Sequence, residues 1–136
     1  MRRDERGAMA IEALLLTPAL VAGIILIAGG SRYVEARGQT NHAAYAAARA
    51  ASLTTNQEAA VLAGKRAAED SMTERGHACA DLKVEVNAGD FNPGGNVRAT
   101  VTCTADLSDL VGVGLPGAKT FVFTAVVPLE KHREFP

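Results

Sequence analysis

The sequence predicts an α+β fold: a long N-terminal membrane-spanning and stalk helix packed on a small three-stranded antiparallel sheet. Three features carry this expectation. Residues 13–31 form an uncharged apolar run, an alanine-rich tract follows from Ala43 to Ala68, and the C-terminal part alternates apolar and polar residues in three segments. At 136 residues the chain has the length of one domain. Its net charge of −1 supplies no electrostatic footprint for nucleic acid, so none is expected as a partner.

The N-terminus sets the topology. Met1 to Arg6 read MRRDER, then Gly7 opens AMAIEALLLTPALVAGIILIAGGS. The uncharged stretch from Ala13 to Ser31, at 1.5 Å per helical residue, comes to ~28 Å, the thickness of a bilayer's hydrocarbon core. Arg2, Arg3 and Arg6 favour a cytoplasmic N-terminus, with the body of the chain outside. Two residues do not suit a plain anchor. Glu12 places a carboxylate at the start of the apolar run, where lipid makes it costly. Pro18 removes one helical hydrogen bond inside the run.

A short basic leader, Gly7, the small or apolar Ala8, Met9, Ala10 and Ile11, and then Glu12 together resemble the N-terminus of type IV prepilins. More narrowly, they resemble the TadE-like minor pilins or pseudopilins of tight-adherence (Flp-type) pilus systems. The resemblance implies that a prepilin peptidase cuts after Gly7 on the cytoplasmic side, leaving Ala8 as the new N-terminus and Glu12 as the fifth mature residue. Classical type IV pilins begin with Phe or Met, so the Ala8 of this chain departs from that pattern. A buried carboxylate needs a cation. In the packed assembly that the resemblance implies, Glu12 of one subunit would meet such a cation in the α-amino group of a neighbour's Ala8; a glutamate that simply snorkels to the interface is the alternative. The competing expectation is cleavage by signal peptidase near Ala28-Gly29-Gly30, which would release a soluble protein. An uncleaved single-pass anchor carrying a small binding module is the other.

After the span, Ser31 to Gly76 is rich in alanine, the best helix former. The SRY…AARAAS part also resembles TadE-like proteins. Gly38, Gly64 and the polar patch Thr54 to Gln57 interrupt it. Thr55 and Glu58 have capping-box spacing, so a helix break and restart is expected there, with Gly76 as the stop. Leu53, Val61, Leu62 and the alanines form the expected apolar stripe, with Arg49, Lys65, Arg66, Glu69 and Asp70 in water. Small side chains suit close packing between subunits. The first half of the stalk is therefore assigned to assembly and the second half to covering the head. His42 and Tyr45 are read as surface or packing residues.

In the head, Asp81 to Asn87 place Leu82, Val84 and Val86 on one face, and Asn96 to Thr104 do the same for Val97, Ala99, Val101 and Cys103. The turn formers AGDFNPGGN join them into a hairpin. Lys119 to Leu129 supply a third strand with Phe121, Phe123, Ala125 and Val127 on one face, and Pro128 near its end suits an edge. The only cysteines, Cys79 and Cys103, flank the hairpin's open end, which favours one disulfide in an oxidising compartment. Free buried thiols are the alternative.

Gly112-Val113-Gly114-Leu115-Pro116-Gly117 matches the glycine string of dinucleotide sites, but Pro116 and the strand that follows leave no helix to face a pyrophosphate. His42, His77 and His132 are scattered without metal-ligand spacing, and Asp106 and Asp109 suit a helix start better than calcium. No catalytic residues, cofactor or metal are expected, and the chain is not expected to be an enzyme. The tail PLEKHREFP is charged. The resulting organisation is a leader (1–7), a transmembrane assembly helix (8–31), a stalk (32–76) and a disulfide-linked β head (77–136). The resemblance implies the prepilin peptidase, the pilus assembly platform, other pilin subunits and the membrane as partners. It also implies a single-pass membrane location, and a surface pilus after assembly.

Overall fold

The computed structural model of the chain describes residues 5–75, 79–106, 108 and 117–132. Two helices, α1 (Glu5–Ser52) and α2 (Gln57–Glu74), precede three strands, β1 (Asp81–Asn87), β2 (Asn96–Asp106) and β3 (Ala118–Pro128). The sheet is antiparallel in the order β1-β2-β3. The α+β class and the single small sheet agree with the sequence expectation.

Helix α1 runs unbroken for 48 residues, ~72 Å at the helical rise, across both the apolar run and the first half of the stalk. It passes through Pro18, beside which the Thr17 hydroxyl donates to the Ala13 carbonyl at 2.7 Å. Gly38 does not interrupt the helix either.

The core is a thin layer between helices and sheet. Ala36, Thr40, Ala43, Ala44, Ala47, Ala48 and Ala51 are buried along one side of α1, the 3.6-residue stripe of an amphipathic helix. Against them lie Val97, Ala99, Val101, Cys103 and Ala105 of β2, all buried, with Phe121 and Ala125 of β3. Leu82, Val84 and Val86 of β1 are half-buried at the edge of this layer. The cover of the sheet is thus chiefly α1, where the sequence reading assigned it to the second half of the stalk. The reason is side-chain size. A face made almost wholly of alanine, with Thr40 among it, lets a helix axis approach the sheet closely, and residues 36–51 hold the longest such face.

Three further expectations are corrected. The helix does break between Ser52 and Gln57, but the N-cap of α2 is Asn56, not the Thr55–Glu58 box. Asn56 has extended backbone (φ −146°, ψ 164°), and its side chain accepts from the Ala59 amide at 2.8 Å. Thr54 meanwhile turns back to close α1, its hydroxyl donating to Ala51 O at 2.9 Å, and Thr55 lies one residue too early. Leu53 and Leu62 are well exposed, and the buried stripe of α2 is Ala60, Gly64, Ala68 and Met72, at strict i+4 spacing. Strand β2 continues two residues past Thr104 because Ala105 packs with Ala36 and Phe121 and pairs with Lys119. The C-cap of α2 is Arg75; Gly76, the expected stop, lies outside the described residues.

Gly64 fixes how α2 sits. A Cβ built there meets Val86 Cγ2 at 2.8 Å and the Ala47 carbonyl oxygen at 3.1 Å. Here α2 therefore touches α1's backbone and β1 at once. Alanine in a helix interior gains up to ~1 kcal/mol over glycine, but a branched side chain here forces Val86 and the α1 backbone apart. Gly64→Val is expected to destabilise the head by ~1–3 kcal/mol. The check is hydrogen exchange, where faster exchange across α2 and β1 is the expected result.

Candidate assembly helix and processing site

The residues singled out at the N-terminus all lie on α1. Gly7 and Ala8 are within the helix. Glu12 follows on the same helix and is exposed. From Ala13 to Ser31 no residue is buried by the rest of the chain. Leu14, Leu15, Leu20, Leu26 and Ile27 are each at least two-thirds exposed, Leu26 at 76%. Apolar side chains this exposed, all round a helix, need a bilayer or other helices around them. Among the described residues, α1 is the one helix long and apolar enough to cross a membrane, with a mean hydropathy of 2.3 over its most apolar window.

Helical geometry adds residues that sequence reading missed. At 100° per residue, Ala19, Gly23 and Gly30 fall on the same side of α1 as Glu12. Nothing lies within 4 Å of a Cβ built at Gly23 or Gly30. The carboxylate therefore shares a side of α1 with three small residues, set between the exposed Leu16 and Leu26, and a neighbouring helix can approach closely at the small positions. The signal was available in the sequence as the spacing of small residues counted from Glu12.

At the other end of α1, Gln39 is buried and its Nε2 donates to Glu35 Oε1 at 3.1 Å and to the Arg75 carbonyl at 3.0 Å. The second bond satisfies a carbonyl at the C-terminus of α2, where helical partners run out. Glu35, Gly38, Gln39, His42 and Arg75 line a shallow hollow of about 420 Å³. His42 and Tyr45 are exposed on the side of α1 away from the sheet.

Cys79 and Cys103 are joined, with Cα atoms 5.4 Å apart. The Ala80 amide donates to Thr104 O at 2.7 Å, extending the β1–β2 ladder toward Cys79 and bringing its sulfur to the buried Cys103. Asp106 Oδ1 accepts from Ser108 N at 2.9 Å and from Ser108 Oγ at 2.5 Å. These bonds hold its carboxyl below the usual carboxylate range, the side-chain bond contributing most. Asp109, His77 and the glycine string from Gly112 to Pro116 lie outside the described residues, as do residues 1–4 and 133–136. Among the described residues no group of three His, Cys, Asp or Glu side chains gathers as metal ligands. Glu130, Lys131 and His132 of the tail are exposed, whereas Leu129 is buried.

A long exposed apolar helix that becomes the spine of a small β head defines the class of fold. Residues 7–49 match the family model described as TadE-like protein. This stretch begins at the glycine that resembles a processing site, and it carries Glu12, the apolar run and most of the alanine face. Over these residues, about a third of the chain, it is similar to TadE-like proteins, pilin-like components associated with Tad pili, and the match and the apolar helix together point to association with a membrane. No curated protein and no solved structure matches the chain.

Proposed function

We propose that this chain is a pilin-like structural subunit of a tight-adherence-type pilus or a related secretion system, and that it works through assembly rather than catalysis. A prepilin peptidase removes Met1 to Gly7 at the cytoplasmic face. The chain, with its head outside the cytoplasm, is then drawn from the membrane by the pilus assembly platform and packs against other pilin subunits through α1. The observation that carries this reading is the exposed α1, with Glu12 on the same side as Ala19, Gly23 and Gly30 and with nothing among the described residues packed against them. In a bundle of such helices the small residues allow close approach, and the Ala8 α-amino group created by the cut supplies the cation that a desolvated Glu12 requires.

Co-expression with a prepilin peptidase tests the processing step. The expected product begins at Ala8, and Gly7→Val leaves the chain at full length, because a β-branched residue before the scissile bond does not fit where glycine does. A wild-type chain that keeps its leader in the presence of the peptidase overturns the reading. A product that begins near Ser31 overturns it too, in favour of ordinary signal-peptide release.

A further inference from the structure

We propose that the lower end of the sheet sits in the headgroup layer of the membrane that α1 spans, with Arg32, Tyr33 and Lys119 in contact with lipid headgroups. The inference rests on the reading of α1 as a membrane span.

The geometry follows from having no linker. Helix α1 continues without a break from the last residue of the uncharged run, Ser31, into the packed face that starts at Ala36. Five residues of helix are ~7.5 Å. The headgroup region on each side of the hydrocarbon core is of the same order, since it adds ~10–15 Å to the bilayer in total. Ala36 clusters with Ala105 and Phe121, and Ala51 clusters with Val97 and Leu129. The helix therefore runs antiparallel to β2, and the end of the sheet at Asp106 and Ala118 is the end nearer the span. Lys119 lies two strand residues beyond Phe121, ~7 Å further toward the membrane. That brings it level with Arg32, at the edge of the hydrocarbon.

The residues present at that level have the chemistry of an interface. Tyr33 is exposed over part of its surface, and its ring meets Phe121 edge-on with centroids 5.0 Å apart. An amphipathic ring held by the head is thus placed where aromatic residues favour the bilayer boundary. Arg32 and Lys119 are exposed cations with long apolar stems, which suits phosphate contact from a partly apolar layer. Among the described residues three carboxylates lie near this level, and none faces Lys119: Asp81, level with Thr120, is exposed on the face of the sheet opposite Lys119. Glu35 is bonded to Gln39 toward α2, and Asp106 is bonded to Ser108 on the opposite face of the sheet from Lys119.

The test uses the full chain in vesicles of phosphatidylcholine and phosphatidylglycerol. With Cys79 and Cys103 joined, each single-cysteine variant carries one reactive thiol for a fluorophore. Probes at Lys119→Cys and Thr120→Cys report the lower end of the sheet, Lys131→Cys the upper end and Leu20→Cys the span. Headgroup-nitroxide lipid is expected to quench the probes at 119 and 120 several-fold more than the probe at 131, while an acyl-chain nitroxide quenches the probe at 20. If 119, 120 and 131 are quenched equally while 20 is quenched from the acyl chains, the head stands clear of the bilayer and the proposal fails alone. If 20 escapes the acyl-chain nitroxide, the span itself is wrong and the proposal falls with it.

Discussion

Glu12→Ala is expected to reduce incorporation into surface fibres at least about tenfold while leaving proteolytic processing and the folded head unchanged. Glu12 is exposed and lies far along α1 from the first residues packed on the sheet, Tyr33 and Ala36, so its loss takes no contact from the head. For an isolated membrane helix the change is favourable, because a charge leaves the apolar run. What disappears is the anion facing a neighbour's Ala8 amine. Stranding one member of a desolvated ion pair costs ~3–5 kcal/mol, more than the ~1.4 kcal/mol that corresponds to a tenfold change. The measurement compares processed protein in membranes with protein in the sheared surface fraction. Equal ratios for variant and wild type would show that Glu12 has no part in packing.

Removing the disulfide is expected to have the largest effect on the head. Cys79 and Cys103 are separated by 24 residues, and closing a loop of that size stabilises by ~3–4 kcal/mol in the chain-entropy model. Small domains hold only ~5–15 kcal/mol in total, so the bond is a substantial share. Its position adds to this. Strand β1 is an edge strand whose inward residues are only half-buried, and the cross-link pins its start to the fully buried Cys103. The double variant Cys79→Ala/Cys103→Ala should therefore lose hydrogen-exchange protection throughout β1 first, and unfold at clearly lower denaturant. Superimposable exchange profiles would show that the helices hold β1 unaided.

The strands were legible because their chemistry is local. Alternation places Leu82, Val84 and Val86 on one face, and likewise Val97 to Cys103 and Phe121 to Val127, and the structure keeps those faces together. The covering helix was harder to read. Alanines occur nearly all round residues 43–51, so apolar periodicity does not select a face. The polar positions do, since His42, Tyr45 and Arg49 lie on one side and mark it as the outside. The stripe of α2 was missed for a related reason. Larger apolar residues attracted attention at Leu53, Val61 and Leu62, yet the close approach of α2 to α1 and β1 requires Gly64 and alanine there. Asn56 lost to Thr55 as the expected cap because capping-box spacing says nothing of the Thr54 bond to Ala51, which uses up the preceding turn. At the N-terminus the spacing from Gly7 to Glu12 was legible directly, and only the small residues sharing Glu12's face needed the helix to be drawn.

The central claim is that this chain leaves the membrane as a processed subunit of a fibre. Intact mass of the protein in sheared surface material from the producing cell tests it most directly. The expected result is one species, beginning at Ala8 and lighter by two hydrogen atoms for the Cys79–Cys103 bond. A chain absent from that fraction and retained in membranes with Met1 to Gly7 still attached would contradict it, as would a surface form that begins near Ser31.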